Sequence, residues 1–333
     1  MEYRKRNFSR PRIGQQLGNY RLTRLLGRGS FADVYLGEHI HLNTQAAIKV
    51  LDMRLTNDDM GDFLKEARTI ARLKHPSIIQ VLEFGVENNT PFLVMDYAPN
   101  GTLRSHFSKG SRFSPEDIQP YVMQIASALQ HAHNEKLIHR DIKPENMLLG
   151  SNNEVLLADF GIAVVAHSSR TQSMQGVAGT VAYMAPEQLR GTPVKASDQY
   201  ALAAIIYEWL SGESLFQGSF VEIATHHTLT LPPPLSKQVP TISAGVETAV
   251  LKALAKDPAQ RFASIQEFAD AFAQGIYGRQ ASLSLPSVEA ISSKTEPLPS
   301  MQEVHTLPIQ ETTITPPRLP PLPQAPMLAL RTR

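Results

Sequence analysis

Hydrophobic positions along the chain follow two different periods. In the first hundred residues, apolar and β-branched residues form short runs bounded by turn residues, which is the pattern of β-strands. The five runs that predict strands cover residues 20–27, 31–39, 45–52, 78–86 and 91–97. One stretch differs, because Phe63, Ala67, Ile70 and Leu73 are spaced three and four residues apart, which predicts a helix after Asn57.

After Gly101 the spacing of apolar residues is mainly helical. Ser114 and Pro115, followed by two acidic residues, form a typical helix start with a hydroxyl cap and a proline in the first turn. We expect this helix to end near His133. Strands in the first third and helices in the remainder predict an α+β fold with two lobes.

The two ends of the chain lack this periodicity. Residues 1–18 carry five basic residues against one acid, and we interpret them as a solvated, disordered arm in preference to a nucleic-acid or phospholipid contact. Residues 274–333 are rich in Pro, Ser, Thr and Gln, and ten of the 24 prolines lie after residue 281. We predict a disordered tail, because such a segment buries too little apolar surface to offset its ordering entropy. Residues 318–323 match a polyproline II ligand, although a plain extended tail is the preferred interpretation.

Composition and charge exclude several classes of protein. The 333 residues are 42% hydrophobic and 19% charged with a net charge of +1, which argues against nucleic acid as a general partner. The absence of cysteine excludes disulfides, thiolate catalysis and Cys-based zinc sites. No apolar run approaches the roughly 18 residues of a membrane span, and the charged N-terminus is unlike a secretory signal. We therefore expect a soluble, cytoplasmic protein.

A glycine-containing loop, residues 27–34, lies between two predicted strands. Glycines let backbone N–H groups approach phosphates closely. A dinucleotide-binding loop needs a helix directly after it, and the GxxxxGK[ST] loop of P-loop enzymes is absent. Lys49 lies in a later apolar strand, and Glu66 on the following predicted helix is placed to pair with it. A lysine held in this way would grip the α- and β-phosphates of a nucleotide.

Two further segments carry acids, a cation and an amide at close spacing. Residues 138–146 contain Asp141, Lys143 and Asn146, and Asp159 opens an Asp-Phe-Gly sequence after the apolar run at 155–158. Together with the glycine loop and Lys49, these segments provide a phosphate cradle, metal ligands and a base. From Tyr20 to Phe272 the chain resembles the protein kinase family, and more narrowly the bacterial eukaryotic-like Ser/Thr kinases.

The resemblance implies transfer of the γ-phosphoryl group of ATP to Ser and Thr hydroxyls of protein substrates. Asp141 would be the base, Lys143 would contact the transferred phosphate, and Lys49 would pair with Glu66. Asn146 and Asp159 would hold Mg²⁺, with Mn²⁺ as an alternative ion. Met95 takes the gatekeeper position, the backbone of Asp96 and Ala98 would bind adenine, and Ala47 and Leu148 would enclose its ring. The full ATP-binding set implied is Leu26, Gly27, Arg28, Gly29, Ser30, Phe31, Val34, Ala47, Lys49, Met95, Asp96, Ala98 and Leu148.

The resemblance also implies activation by autophosphorylation. The segment between Asp159 and Glu187 contains a polar, hydroxyl-rich run, and bacterial relatives resemble it in spacing two hydroxyl residues as Thr171 and Ser173 are spaced. Phosphate on either residue would be received by Arg140. Trans-autophosphorylation would involve a transient dimer of the chain.

Several other matches imply structural roles. Glu187 is expected to pair with Arg261, and Asp198 to brace the catalytic loop. Ile70, Leu82, His139 and Phe160 fall where the family stacks its regulatory spine. Two departures are Ala32 in place of the third loop glycine and Ala203 in place of a helix glycine, and neither residue touches a reacting group.

We predict one catalytic domain over residues 19–273, with lobes at 19–97 and 98–273. One alternative is a pseudokinase that uses the fold as a scaffold, which the intact Lys49, Asp141, Asn146 and Asp159 disfavour. Another is that the proline-rich tail is the functional part and the catalytic domain regulates it. Magnesium-dependent ATP turnover would distinguish an active kinase from a pseudokinase. A pull-down with the isolated tail would test whether the tail binds a partner.

Overall fold

The computed structural model describes residues 12–29, 32–51, 67–87, 89–160 and 181–281. The chain divides into two units, 1–285 and 286–333, and all the described residues belong to the first. Within those residues, strands predominate before residue 96 and helices after residue 101. The predicted α+β fold with a β-rich lobe and a helical lobe is confirmed.

The first lobe is built on one antiparallel sheet with the strand order β1-β2-β3-β4-β6-β5. The sheet contains β1 (Gln16–Leu17), β2 (Tyr20–Arg28), β3 (Ala32–His39), β4 (Gln45–Leu51), β5 (Val81–Glu87) and β6 (Thr90–Met95). Residues 67–71 are helical (α1), and Ala67, Ile70 and Leu73 are buried at the predicted spacing.

Alternation along β4 places Lys49 toward the second lobe. Ala46, Ile48 and Val50 lie in a small apolar cluster on one face of the sheet. Ala47 and Leu51 belong instead to the large cluster that continues into the helical lobe. Because side chains alternate between the faces of a strand, Lys49 lies on the face of Ala47 and Leu51.

The second lobe contains seven helices and a two-stranded sheet among its described residues. Its elements are α2 (Leu103–His106), α3 (Pro115–Asn134), β7 (Met147–Leu149), β8 (Val155–Leu157), α4 (Pro186–Leu189), α5 (Lys195–Ser211), α6 (Phe220–Leu229), α7 (Ala244–Ala253) and α8 (Ile265–Ala281). As predicted, Ser114 caps α3: its hydroxyl accepts the Asp117 N–H at 3.1 Å, and the Asp117 carboxylate accepts the Ser114 N–H.

Helix α5 lies at the centre of this lobe, and every residue from Ser197 to Ser211 is buried. Gly212 ends it with a φ of 79°, which glycine adopts without steric cost. No helix in the described ranges is both long and apolar enough to cross a membrane.

Described elements extend beyond both ends of the predicted domain 19–273. Leu17, assigned to the disordered arm, is 4% exposed and pairs with Tyr20 in the sheet. At the other end, α8 continues past residue 273 to Ala281, and Ile276 is buried. Neither extension has enough apolar residues to show a period of its own, so the patterning missed them.

Candidate active site

The catalytic loop positions three polar side chains against one another. Lys143 Nζ donates to both carboxylate oxygens of Asp141, at 3.0 and 2.8 Å. Asn146 Nδ2 donates to Asp141 Oδ2 at 3.0 Å and to the Asp141 carbonyl at 2.8 Å. Pro144 starts a 3₁₀ turn over residues 144–146, which returns the chain so that Asn146 faces Asp141. The structure thus brings together three of the predicted catalytic and metal-binding residues.

Asp198, at the start of α5, holds the backbone of the catalytic loop through its carboxylate. One of its oxygens accepts the His139 N–H at 2.9 Å and the other accepts the Arg140 N–H at 2.9 Å. The His133 ring, on the last turn of α3, donates to the same carboxylate at 2.7 Å. The predicted bracing role of Asp198 is confirmed, and His133 is a member of this network that the sequence analysis missed.

The imidazole of His139 joins the catalytic loop to Asp159. Its Nε2 lies 2.9 Å from the Ala158 carbonyl, which can only accept, so Nε2 carries the proton. Burial lowers the pKa of this imidazole, which keeps the ring neutral. Its ring centroid lies 4.5 Å from that of Phe160, with the two rings tilted by 48°, so His139 and Phe160 are in contact as their predicted spine positions require.

The spine residue predicted on β5 is wrong by one position. Leu82 is 51% exposed, whereas Val81 is 8% exposed and belongs to the large cluster with Ile70 and Phe160. The register between β5 and β6 shifts between Val81 and Glu83, so Leu82 is the extra residue of a bulge. A bulge changes the face of the sheet on which the following side chains lie, and the apolar pattern alone does not reveal where a bulge occurs.

Lys49 bridges the two lobes. Its Nζ lies 2.6 Å from Asp159 Oδ1, and the side chains are 11% and 32% exposed respectively. Burial by itself would raise the pKa of the Asp159 carboxyl, but the Lys49 ammonium, its hydrogen bond and Lys143 outweigh it, so the pKa lies below its ordinary value. Asp159 is therefore a carboxylate near neutral pH. Its predicted metal-binding role requires that charged form.

The predicted nucleotide-binding residues of the first lobe lie on β2, β3 and β4 and around the end of β6. Gly27 pairs with Val34 across the β2–β3 hairpin, and Leu26 and Val34 pack on the large cluster. The Gly29 N–H donates to the Ala32 carbonyl at 2.8 Å, which closes the hairpin, while a Cβ added at Gly27 would meet no atom of the described residues within 4 Å. An open face at Gly27 leaves room for a ligand to approach the backbone.

The segment after β6 has the polarity expected of an adenine site. The Asp96 N–H donates to the Gln80 carbonyl at 3.0 Å, which fixes the backbone at this position. Ala47 pairs with Met95 across β4 and β6, and Leu148 packs on the same cluster from the second lobe. Burial raises the pKa of the Asp96 carboxyl above its ordinary value.

Glu187 and Arg261 form the predicted ion pair. Two parallel bonds of 2.8 Å join the guanidinium to the carboxylate, and Ser197 donates to the same carboxylate at 2.7 Å. Burial alone would raise the pKa of Glu187, but these donors lower it overall. Gln188 next to it donates to the Arg140 carbonyl at 2.6 Å, which ties α4 to the catalytic loop.

Five residues of the predicted site lie outside the described residues. They are Ser30 and Phe31 of the glycine loop, Glu66 opposite Lys49, and the phosphorylation sites Thr171 and Ser173. Arg28 is described and exposed at the end of β2.

Comparison with known proteins matches this arrangement. Residues 20–272 match the family model described as the protein kinase domain. The chain is 36% identical over 260 residues to the serine/threonine-protein kinase PrkC of Bacillus subtilis, covering 77% of this chain and 40% of that protein. It is 37% identical over 257 residues to the serine/threonine-protein kinase PknB of Mycobacterium leprae, covering 74% of this chain and 41% of that protein. A third relative is the serine/threonine-protein kinase Pkn1 of Myxococcus xanthus, 36% identical over 271 residues, with 78% of this chain and 39% of the relative covered.

The chain thus spans about two fifths of the length of the relatives it matches. The match to the family model covers the catalytic loop, strands β2 to β8 and the buried Glu187–Arg261 pair. This chain belongs to the protein kinase family.

Proposed function

We propose that the chain is an ATP-dependent serine/threonine protein kinase, which transfers the γ-phosphoryl group of ATP to hydroxyl groups of protein substrates. The observation that carries the proposal is the geometry around Asp141, whose two carboxylate oxygens accept bonds from Lys143 and Asn146. Relatives named as serine/threonine-protein kinases support the choice of acceptor.

Asp141 is assigned as the base that accepts the proton of the substrate hydroxyl. Its side chain is 20% exposed, so one side of the carboxylate remains open to a substrate. Lys143 holds it at 2.8 Å, and this ammonium is also placed to balance negative charge on the phosphoryl group as it transfers. Asp198 keeps the backbone of the loop fixed, so that the base needs little reorganisation during the reaction.

Lys49 is assigned to the α- and β-phosphates of ATP. It is nearly buried on the inner face of the sheet, and its partner Asp159 comes from the second lobe. Gly27, Gly29 and Val34 cover the phosphates, while Met95, Asp96, Ala98, Ala47 and Leu148 enclose the adenine. The apolar neighbours Ala47 and Leu148, which pack on the same cluster from the two lobes, support this placement.

Asn146 and Asp159 fit a magnesium site. Both N–H bonds of the Asn146 amide are used on Asp141, which turns its carbonyl oxygen outward as a ligand. The described residues contain no cluster of three or more His, Asp or Glu that could hold a metal. Two protein oxygens match Mg²⁺, which usually keeps waters and substrate phosphates as its other ligands, and Mn²⁺ accepts the same set. When bound, the ion neutralises charge on the phosphate oxygens.

Replacing Asp141 with Asn tests the assignment. Asp141→Asn keeps the shape of the side chain but removes the base, so we expect folded protein whose rate of ³²P transfer to a basic protein falls by about 10²-fold or more. Asp270→Asn makes the same change at an exposed position on α8 and should leave the rate unchanged. Phosphoryl transfer by Asp141→Asn at the wild-type rate would show that Asp141 is not the base. A wild-type chain that turns over no ATP with magnesium would favour the pseudokinase alternative.

Autophosphorylation at Thr171, Ser173 or both is proposed as the activating step, with a transient dimer of the chain as the reacting species. The support is Arg140, whose buried Nε has no hydrogen-bond partner within the described residues and whose backbone has a φ of 69°. A phosphate carries about −1.5 to −2 charges and forms strong bonds to a guanidinium.

Mass spectrometry of protein expressed with and without a phosphatase tests this step. We expect phosphate on Thr171 or Ser173, and lower activity in a Thr171→Ala, Ser173→Ala double variant. The matched control is Ser168→Ala, Ser169→Ala in the same run of residues. If the first double variant is as active as phosphorylated wild type, the switch lies elsewhere.

The cytoplasm is the compartment proposed for this activity, because ATP is supplied there. The proposed catalytic unit is the predicted domain 19–273, extended to include β1 and the end of α8. Protein substrates with accessible Ser or Thr are its proposed partners.

A further inference from the structure

A chain of polar groups runs through the second lobe beneath the turn at residues 181–183. Lys256 Nζ lies 3.3 Å from the Tyr200 hydroxyl, and that hydroxyl lies 2.9 Å from His227 Nδ1. His227 Nε2 lies 3.1 Å from the carbonyl of Ala182. These contacts join α5, α6, the segment after α7 and the turn.

The direction of each hydrogen bond is fixed by the chemistry of the groups. The Ala182 carbonyl can only accept, so His227 Nε2 carries the proton and Nδ1 is an acceptor. The Tyr200 hydroxyl must then donate to Nδ1, which leaves its oxygen to accept from the Lys256 ammonium. Lys256 uses its other N–H bonds on the carbonyls of His226 and His227, at 3.2 and 2.8 Å.

Burial preserves this arrangement. His227 and Tyr200 are fully buried. Burial, together with the Lys256 charge, lowers the pKa of the His227 imidazole to about 3, so the ring stays neutral with one donor and one acceptor. A buried polar group that loses its partner costs more than an ordinary hydrogen bond contributes. The Ala182 carbonyl is thus held by a ring that has little freedom to turn.

The turn that His227 holds lies beside the catalytic loop. Val181 and Tyr183 are buried on either side of Ala182, which is itself partly exposed. The Tyr183 hydroxyl donates to Glu208 at 2.8 Å and contacts Arg104. Arg104 in turn donates to Glu145 of the catalytic loop at 2.9 Å. One side of the turn is therefore fixed to the catalytic loop and the other to α6.

We infer that His227 is a positioning residue for the protein substrate: through its bond to the Ala182 carbonyl it holds the 181–183 turn, which Tyr183, Arg104 and Glu145 join to the catalytic loop, so that a peptide bound beside the turn presents its hydroxyl to Asp141. Tyr200 and Lys256 orient the His227 ring for this purpose. The inference rests on the proposed kinase activity. It assigns no contact between His227 and ATP, since the nucleotide residues lie on the sheet and on β7.

Steady-state kinetics with a peptide substrate test the inference. His227→Leu should raise the peptide KM by about 3- to 10-fold, the value of one hydrogen bond, and change the ATP KM by less than about twofold. His227→Gln should restore most of the peptide affinity, because its amide nitrogen replaces Nε2 as the donor. His226→Leu is the matched control, since its ring bonds to Thr230 and stacks on Phe216 and, among the residues that the structure describes, has no hydrogen bond to the turn.

Hydrogen–deuterium exchange tests the position of the turn without using activity. Amides of residues 181–189 should exchange faster in His227→Leu than in wild type and His226→Leu. If His227→Leu does not fold, Tyr200→Phe can be used instead, because it removes only the hydroxyl. It should raise the peptide KM and the exchange rate of residues 181–189 by about 2- to 3-fold.

The inference is overturned by unchanged exchange in 181–189, by an unchanged peptide KM, or by an ATP KM that rises as much as the peptide KM. It is also overturned if His226→Leu has the same effects or if His227→Gln restores nothing. A wild-type chain without transferase activity would refute the proposed function, and the exchange experiment would still decide whether His227 holds the turn.

Discussion

Replacing Asp198 with Asn should weaken both the fold and the catalytic loop. Asp198 is 1% exposed, and its two oxygens accept the N–H groups of His139 and Arg140 and a ring proton from His133. Asn has the same shape but only one acceptor oxygen. In either orientation of the amide, its NH₂ group faces at least one backbone N–H, so one bond is lost and two donors are left opposed.

The expected losses of stability and of transfer rate follow from these contacts. A hydrogen bond to a charged group contributes about 1.5–3 kcal/mol, and the left-handed backbone of Arg140, with a φ of 69°, costs about 1–3 kcal/mol that the Asp198 bond helps to offset. We therefore expect the free energy of unfolding to fall by about 2–4 kcal/mol. Phosphoryl transfer should fall by at least about tenfold, because Arg140 directly precedes Asp141 and misplacement of the base is costly.

Urea unfolding and thermal melting measure the stability change, and ³²P transfer measures the change in rate. For a domain of about 250 residues, 2–4 kcal/mol corresponds to a drop in Tm of about 4–16 °C. Asp270→Asn provides the exposed control, with an expected change below about 0.5 kcal/mol. A loss below about 1 kcal/mol in Asp198→Asn, or a full transfer rate, would refute the argument that this carboxylate holds the loop.

Two further predictions concern the nucleotide and the end of the chain. Lys49→Met should fold, because Lys49 contributes little to the apolar clusters, but its transfer rate should fall by about 10²-fold or more. The control Lys237→Met, at an exposed position, should keep the wild-type rate. Near-wild-type transfer by Lys49→Met would contradict the assignment of Lys49 to the phosphates. A chain shortened to residue 281 should keep the Tm and transfer rate of the full chain, because the described core is complete at Ile276. A clear drop in either quantity would show that the tail contributes to the catalytic unit.

Local patterns were sufficient to predict the five longer strands of the sheet and the start of α3. The start of α3 was predicted from Ser114, Pro115 and the acids after them, and the same residues form the capping box in the structure. The strand runs were located because β-branched and apolar residues cluster between turn residues. Local patterns failed where the register changes, since nothing in the apolar sequence distinguishes Leu82 in its bulge from its buried neighbour Val81.

Contacts between distant residues set a different limit. Glu187 and Arg261 are separated by 74 positions, and their pairing was predicted only from the family resemblance. His133 and His227 were missed because a histidine among apolar residues has the same local pattern whether it fills space or makes a specific bond. The signal that was available is on the other partner, because an acid inside an apolar helix, such as Asp198 or Glu208, must find donors when buried.

Helix α5 brings these observations together physically. The helix is buried on every side, and several of its polar side chains bond to other elements, so that each such bond fixes the partner element in place. Asp198 fixes the catalytic loop, Ser197 reaches Glu187, and Tyr200 reaches His227. Glu208, about three turns further along the helix from Ser197, reaches Arg104 and Tyr183. The polar side chains of one buried helix thus set the relative positions of the base, of α4 and of the 181–183 turn, which is why we expect changes on α5 to alter catalysis without touching a substrate.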